Sequence, residues 1–281
     1  MNHNKELSDI FALFSYDDPV SFEIIDSSRS ETDFRHVIIA VSANGTKSVL
    51  KLADNDFTFP EKIKMWQRTA EEYTALGYYC PKIIPDKNGS FPTVKYNGRQ
   101  CAAYAEEYAP YRPAEYYPEN GTAAIPAEKY KDDAWIMTAK IASKYFSYTD
   151  HPSGYCLFNT FCPNDKTDEI LETAMEWKAC ADTLPEEFQP QVQRIWKLWT
   201  DNRNALEPLY RKLPSSVFQA DLNSTNILLD ESENFIGVYD FNLCGKEVFL
   251  NYLFRETCCD NLEDELNRIF ARLKLVSGYY T

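Results

Sequence analysis

The sequence is poor in the residues on which many enzyme motifs depend. It has only three histidines, His3, His36 and His151, and none of them stands in a hydrolase or metal-binding pattern. Its nine glycines form no Gly-x-Ser-x-Gly elbow, no P-loop and no Gly-x-Gly-x-x-Gly fingerprint. These absences count against serine hydrolases, P-loop nucleotidases and dinucleotide-binding oxidoreductases, and all three histidines receive a structural interpretation.

Metal-binding cysteine pairs and membrane-spanning runs are also missing from the sequence. The eight cysteines contain no Cys-x-x-Cys pair, and Cys258 and Cys259 are adjacent. No apolar run is long enough to span a bilayer, and residues 1–14 lack the basic-then-apolar pattern of a signal peptide. We therefore expect a cytoplasmic protein with no membrane partner. Its cysteines are interpreted as buried thiols, with disulfides, which their even number permits, as the alternative.

Positive charge is scarce, because 29 Lys and Arg residues face 43 Asp and Glu residues and leave a net charge of −14. Such a surface repels a phosphate backbone, so no nucleic-acid partner is expected. Acids concentrate in residues 164–190 and again in the cluster Glu256, Asp260, Glu263, Asp264 and Glu265. These stretches would attract a cationic small molecule, although solvated helix faces are the simpler interpretation.

The first third of the chain has the alternation of a small antiparallel sheet. The chain of 281 residues is long enough for one large domain or two lobes, and its 44% of apolar residues allow a sizeable core. Strands are predicted over residues 21–25, 35–42, 48–52, 82–84, 93–96 and 100–104. Asn44-Gly45 is a strong hairpin turn between the second and third of these. A helix is predicted over residues 61–79, where Ile63, Trp66, Ala70 and Tyr73 share one face.

The rest of the chain is predicted to be mainly helical. Prolines crowd between residues 108 and 126, which indicates a connector. Helices are predicted over residues 127–148, from Asn164 or Thr167 to residue 180, over 185–212 and over 246–276, with late strands at 216–218, 227–229 and 235–239. This order predicts an α+β, bilobal fold with a sheet-rich N-terminal lobe (1–105), a hinge and connector (106–126) and a helical C-terminal lobe (127–281).

One segment carries the oxygen-bearing side chains that phosphoryl transfer requires. An Asp lies in VFQADLNSTNILLD (217–230), an Asn follows it five residues later, and a second strand ends in Asp-Phe within FIGVYDFN (235–242). Mg²⁺ prefers oxygen ligands from few protein groups, and a separate carboxylate is needed to accept the proton of an acceptor hydroxyl. Phosphoryl transfer depends on such charge neutralisation and positioning.

This pattern resembles the catalytic loop and metal-binding turn of protein-kinase-like folds. It is most similar to the aminoglycoside phosphotransferase and choline kinase superfamily, where His-Gly-Asp-Leu-x-x-x-Asn-Ile-Leu is followed by Ile-Asp-Phe. The lobe order covers most of the chain, whereas the specific motif covers residues 214–245. The resemblance implies that Asp221 is the catalytic base or acceptor-orienting residue, and that Asn226 and Asp240 hold Mg²⁺.

The resemblance also implies a nucleotide site in the N-terminal lobe. Lys51 would reach the phosphates of ATP or GTP, with Glu72, or else Glu71, as its partner on the helix. Residues 106–109, which include Glu107 and Tyr108, would form the hinge whose backbone meets the base. Because no glycine-rich loop exists, Ser28 and its neighbours in residues 26–30 would contact phosphate through backbone N–H and hydroxyl groups.

The sequence departs from the family pattern at two places, and alternatives stay open. Gln219-Ala220 stands where His-Gly is typical, and Asn242 stands where some relatives carry a second acid. We therefore expect a Mg²⁺- and nucleotide-dependent phosphotransferase acting on a hydroxyl of a small molecule such as an aminoglycoside, amino alcohol or sugar. The alternatives are a pseudokinase, which binds without transfer, and an enzyme that transfers a nucleotidyl group.

Overall fold

The structure is a computed structural model, and it describes residues 3–14, 18–115, 130–144, 151–255 and 262–279. The chain divides into two compact units. The first comprises Met1–Met137 and Asp221–Asn242, and the second comprises Thr138–Ala220 and Leu243–Thr281. The predicted α+β class is confirmed: the N-terminal part is built on an antiparallel sheet, and the later part is mainly helical. The boundaries predicted for lobes, hinge and connector stay a prediction.

A six-stranded antiparallel sheet forms the first unit's framework. Its strands are β1 (Pro19–Asp26), β2 (Phe34–Ser42), β3 (Lys47–Asp54), β4 (Ile83–Ile84), β5 (Thr93–Tyr96) and β6 (Arg99–Glu107). Their order is β1-β2-β3-β6, and β4 and β5 both pair with β6. Strand β3 is central, and its pairing with β6 sets Lys51 opposite Tyr104. All six predicted strand segments are confirmed, with bounds that differ by a few residues.

Two helices accompany this sheet. Helix α2 (Pro60–Ala75) begins with proline at a position that needs no backbone N–H, and it buries Ile63, Trp66, Ala70 and Tyr73 as its periodicity predicts. Helix α1 (His3–Phe11) was not predicted. Its residues Leu7, Ile10 and Phe11 are buried in the same core cluster as Ile38 and Leu50 of the sheet. The spacing of these three apolar residues is helical, so the signal was present but short.

A separate three-stranded sheet carries the motif segment of the first unit. Strand β9 (Ile227–Leu229) pairs with β10 (Phe235–Val238) on one side and with β7 (Arg112–Pro113) on the other. The chain after α2 lies against β10: Tyr79 N–H donates to Ile236 O at 3.0 Å, and Val238 N–H donates to Tyr79 O at 3.1 Å. A Cβ atom on Gly237 would lie 1.9 Å from Tyr79 O, so only glycine permits this approach.

Gly237→Ala is therefore expected to lower the free energy of unfolding by about 2 kcal/mol or more, since backbone rather than a flexible side chain must move. Urea unfolding of the variant measures this. Gly278→Ala is the matched control, because a Cβ there meets nothing within 4 Å. Equal stability of Gly237→Ala and wild type would contradict the close approach.

The second unit contains most of the later helices. Helix α3 (Tyr130–Ser143) runs from the first unit into it, and α4 (Glu169–Ala181), α5 (Gln189–Tyr210), α6 (Phe249–Arg255) and α7 (Leu262–Ser277) follow. Strand β8 (Ser215–Phe218) pairs antiparallel with β11 (Gly245–Val248). The helices predicted over 127–148 and 185–212 and the strand at 216–218 are confirmed, apart from residues 127–129 and 145–148, which lie outside the described residues.

Two sequence predictions in this unit are wrong. The helix predicted to begin at Lys246 is preceded by β11, because residues 245–248 pair with β8, a contact that local periodicity cannot reveal. Asn164 and Thr167 do not cap α4. Asp168 does, and its side chain accepts a hydrogen bond from Leu171 N–H at 2.8 Å.

A buried carboxylate joins the elements around β11. Glu247 is 2% exposed, and its oxygens accept hydrogen bonds from Tyr210 Oη, Ser153 Oγ and Val248 N–H. Burial raises the pKa of Glu247, and these hydrogen bonds offset the increase only in part. Its proton is therefore bound more tightly in the folded state than in the unfolded chain.

This pKa shift predicts a pH-dependent effect of Glu247→Gln. Ionisation of Glu247 costs folding free energy above its raised pKa, and the cost disappears as pH falls toward the ordinary value of 4.5. As pH falls from neutral toward 4.5, wild type should therefore gain stability relative to Glu247→Gln, which has no carboxyl group to titrate at this position. Urea unfolding across pH tests this, and a constant difference between the two proteins would contradict it.

The structure bears on two further expectations from composition. Six cysteines are described, all as free thiols, and Cys180 alone among them is exposed. Cys258 and Cys259 lie outside the described residues. None of the described helices combines the length and the apolar character that a membrane crossing requires.

Candidate functional site

The loop that follows β8 is organised around Asp221. Asn226 Nδ2 donates to Asp221 Oδ2 at 3.0 Å and to Asp221 O at 3.1 Å, and Asn223 Nδ2 donates to Asp221 Oδ1 at 2.5 Å. Residues Ser224–Asn226 form a 3-10 turn that directs Asn226 back toward Asp221. The carboxylate is half-buried and fixed by two amides, so its direction is set before any ligand binds.

The β9–β10 hairpin brings Asn226 and Asp240 close together. Asn226 precedes β9, Asp240 follows β10, and Ile227 pairs with Val238 between them. Tyr239 N–H also donates to Asn226 O at 3.1 Å. The hairpin therefore places two residues that are far apart in sequence at one end of the same sheet.

The backbone is strained directly before Asp221 and at Asp240. Asp240 has a φ of 58° and Ala220 a φ of 67°, both in the left-handed region. For residues other than glycine this conformation costs roughly 1 to 2 kcal/mol, and it concentrates at functional sites. The value at Ala220 also explains why glycine suits this position in the family pattern, since glycine would adopt it without strain.

Lys51 of β3 lies beside Asp240. Its Nζ is 3.7 Å from Asp240 Oδ1 and 3.0 Å from Glu106 Oε2. The side chain of Lys51 is 15% exposed, that of Glu106 10% and that of Asp240 32%. An ammonium group is thus held between two carboxylates, one at the end of β10 and one on β6.

The charges of Lys51 and Glu106 shift the pKa values of both groups. Burial by itself would lower the pKa of Lys51, but Glu106, Tyr104 and Asp240 outweigh it and hold the pKa well above its ordinary value. Burial raises the pKa of Glu106, and Lys51 counteracts this only in part. Lys51 is therefore a permanent cation at physiological pH.

The donor set around Asp240 fits a hard cation such as Mg²⁺. Asn226 turns its Nδ2 toward Asp221, which directs its Oδ1 the other way. Asn242 Nδ2 donates to Asp240 Oδ2 at 3.3 Å, and Asn242 Oδ1 is buried without a hydrogen-bond partner among the described residues. A buried acceptor without a partner is costly unless a ligand satisfies it. Amide and carboxylate oxygens are the ligands that Mg²⁺ takes.

The predicted nucleotide-side residues lie elsewhere in the first unit. Glu72 is half-buried on α2, and Glu71 beside it is exposed. Ser28 lies in the β1–β2 connection, where its Oγ accepts from Arg35 N–H at 2.9 Å. Glu107 ends β6 and its N–H donates to Lys82 O, and Tyr108 follows with Lys47 Nζ 4.8 Å from its ring centroid. Their roles in nucleotide binding stay predictions.

Sequence reasoning did not recognise Glu106 as a partner of Lys51. No local pattern marks this contact, because Tyr104 and Glu106 lie on the face of Lys51 only through the pairing of β3 with β6. Asn242 was noted only as a missing acid, and its buried oxygen could not be inferred from sequence.

Some acids of the stretch 164–190 form ion pairs and hydrogen bonds within the protein. Asp168 is buried, caps α4 and forms an ion pair with Arg203. Asp182 pairs with Lys178 at 2.5 Å. These acids have structural partners, which weakens the case for a cationic ligand at this surface. The side chains of the second acidic cluster lie outside the described residues.

Comparison with known proteins identifies the fold. No protein-family model matches the chain, and no curated protein matches its sequence. Solved structures do match. A macrolide 2′-phosphotransferase type I is 11% identical, with a TM-score of 0.51 over 99% of this chain and 87% of that one. Amicoumacin kinase hAmiN, in complex with AMP-PNP, Ca²⁺ and Ami, is 14% identical, with a TM-score of 0.51 over 99% and 77%.

The aminoglycoside phosphotransferase APH(2″)-IIa in its gentamicin complex also matches, with 13% identity and a TM-score of 0.51 over 100% of this chain and 85% of that one. The resemblance stated from the motifs is therefore confirmed at the level of fold: this chain has the fold of the small-molecule phosphotransferases. At these identities the likeness shows the fold alone.

Proposed function

We propose that this chain transfers the γ-phosphoryl group of a nucleoside triphosphate to a hydroxyl group of a small molecule. The observation that carries the proposal is the meeting of Lys51 with Asp240 on the hairpin that also holds Asn226 and the Asp221 loop. A cation, a carboxylate for a metal ion and a separate carboxylate for a proton are the parts that phosphoryl transfer needs.

Asp221 is the group that handles the proton. The acceptor hydroxyl donates its hydrogen bond to the Asp221 carboxylate, which orients the oxygen toward the γ-phosphorus and takes the proton as the new O–P bond forms. The bond between the γ-phosphorus and the bridging oxygen breaks, and the nucleoside diphosphate leaves. The amides of Asn223 and Asn226 keep the carboxylate aimed during this step.

Asn226 and Asp240 would hold Mg²⁺, with Asn242 Oδ1 close enough in sequence to take part. The metal ion would neutralise charge on the phosphate oxygens when bound. Lys51 would contribute a fixed positive charge to the same phosphates. Its present partner Glu106 then becomes a competitor, because a phosphate that approaches Lys51 must share the ammonium group with a buried carboxylate.

The nucleotide would be ATP or GTP, and the acceptor an aminoglycoside, amino alcohol or sugar. Support for an acceptor of this size comes from the fold it shares with phosphotransferases named for macrolides and aminoglycosides. A cationic acceptor is proposed on the net charge of −14 alone, since Asp168 and Asp182 of the acidic stretch have internal partners.

Phosphate incorporation from γ-labelled ATP and GTP tests the proposal. Purified protein with Mg²⁺ should label at least one member of a panel of aminoglycosides, amino alcohols and sugars, and mass analysis of the product should show an added phosphoryl group. An added nucleotidyl group would replace the proposed chemistry. Binding of Mg²⁺-nucleotide without transfer to any acceptor would favour the pseudokinase, for which the Lys51–Glu106 pair and Gln219-Ala220 are the supporting features.

A further inference from the structure

Helix α5 has two apolar faces, and the described residues cover only one of them. The inner face packs within the second unit: Val192 and Tyr210 are buried, and Trp196 stacks on Trp199 with ring centroids 5.2 Å apart. The other face is exposed although it is rich in large apolar side chains. These are Phe188, in the 3-10 turn that leads directly into α5, and Ile195, Leu198, Leu206 and Leu209 of the helix, with exposures of 47%, 50%, 52%, 40% and 60%.

The exposed face has the spacing of a coiled-coil seam. We define the outer seam as Phe188, Gln191, Ile195, Leu198, Asn202, Ala205 and Leu209. Successive members are separated alternately by three and four residues, which is the a and d spacing of a heptad repeat. A seam of this kind keeps one side of a helix in contact with a second helix along its whole length of about 30 Å. Several large apolar side chains exposed along one helix face are typical of an interaction site.

We propose that the outer seam binds the outer seam of a second copy of this chain, with the two α5 helices antiparallel. About a twofold axis between Trp196 and Lys197, Ile195 faces Leu198 of the partner subunit and forms the apolar centre. Gln191 then faces the partner's Asn202, which pairs the two polar seam residues with each other. Phe188 faces the partner's Ala205, so that the largest seam residue meets the smallest.

The charges beside the seam support this orientation. Arg194 and Asp201 flank the seam on the same side, both exposed and seven residues apart. In the antiparallel pair Arg194 lies beside the partner's Asp201, and the symmetry repeats this ion pair at the other end. Flanking charges of this kind set partner choice and orientation in coiled coils. Asp201 also pairs with Lys197 at 2.6 Å, but both side chains are exposed and such a pair contributes little.

The proposal is independent of the proposed function, because α5 carries none of the candidate site residues. Other occupants of the seam, such as an unrelated protein helix, would lack the two complementary charge pairs that a second copy supplies. Leu198 is half-exposed in the single chain, so its replacement by a charged residue leaves the fold of the second unit intact.

Sedimentation equilibrium of the full chain over roughly 1 to 100 µM tests the dimer. Wild type should populate a dimer, and Leu198→Glu should be monomeric with unchanged circular dichroism. Gln193→Glu is the matched control, since Gln193 is exposed on the same helix outside the seam and the added charge should leave the dimer in place. A monomeric wild type over this range, or a dimer that persists in Leu198→Glu, would overturn the proposal.

Charge exchange tests the antiparallel orientation. Arg194→Asp and Asp201→Arg should each raise the dimer dissociation constant by roughly tenfold, because each places like charges together at both ends. When the two variants are mixed, both ion pairs re-form across the interface, so a heterodimer of wild-type affinity should appear. The double variant should likewise dimerise as wild type does. Failure of the mixture to associate would overturn the antiparallel pairing.

Discussion

Asp221→Asn is expected to lower kcat by about 1,000-fold while nucleotide affinity changes by no more than about threefold. The variant keeps the shape of the side chain and loses the ability to take a proton. Its partners Asn223 and Asn226 both donate to the carboxylate, so the amide meets one donor too many, and the loop adjusts locally. The metal ion would be held by Asn226 and Asp240, which are unchanged.

Steady-state kinetics and a nucleotide thermal shift measured on the same variant separate these two effects. Asp230→Asn is the matched control, because Asp230 lies at the other end of the β9–β10 hairpin and caps its turn through Ser232 and Asn234. That control should keep wild-type turnover. Full turnover by Asp221→Asn would contradict the assigned role. Loss of nucleotide binding would show that Asp221 contributes to binding the nucleotide and not to activating the acceptor.

Asp240→Asn is expected to lower kcat/KM by about 1,000-fold or more and to abolish the Mg²⁺-dependent part of the nucleotide thermal shift. The substitution removes the negative charge from the donor set and leaves Lys51 with Glu106 as its carboxylate at 3.0 Å. An amide binds a divalent ion far more weakly than a carboxylate does, so raised Mg²⁺ should restore only part of the activity.

Asn242→Asp provides the matched control for the metal assignment. It introduces a carboxylate beside Asp240, where Asn242 Oδ1 is buried without a partner among the described residues. This variant should keep or strengthen the dependence on Mg²⁺. Asp240→Asn and Asp221→Asn should therefore differ in metal dependence although both lose turnover. An unchanged Mg²⁺ response in Asp240→Asn would show that the metal ion is held elsewhere.

Local patterns were sufficient to predict much of the first unit. Strand alternation, the Asn44-Gly45 turn and the helical spacing of Ile63, Trp66 and Tyr73 gave β2, β3 and α2 with bounds close to those found. Each of these elements is specified within a short window of sequence, where period and turn chemistry agree.

Elements that depend on distant partners were missed or misassigned. Strand β11 is four residues long and contains Lys246 and Glu247, so its sequence does not alternate, and only β8 across the sheet makes it a strand. The two residues of β7 are likewise defined by pairing with β9. The same limit applies to the site: Glu106 meets Lys51 only because β6 lies beside β3 in register.

We propose above all that Asp240 and Asn226 share a divalent ion next to Lys51. A crystal structure of the protein with Mg²⁺ and a non-hydrolysable triphosphate nucleotide tests it most directly. We predict an ion about 2.1 Å from an Asp240 oxygen and Asn226 Oδ1, with Lys51 Nζ in contact with the nucleotide phosphates. An ion or nucleotide bound away from these side chains, or Lys51 still paired only with Glu106, would contradict it.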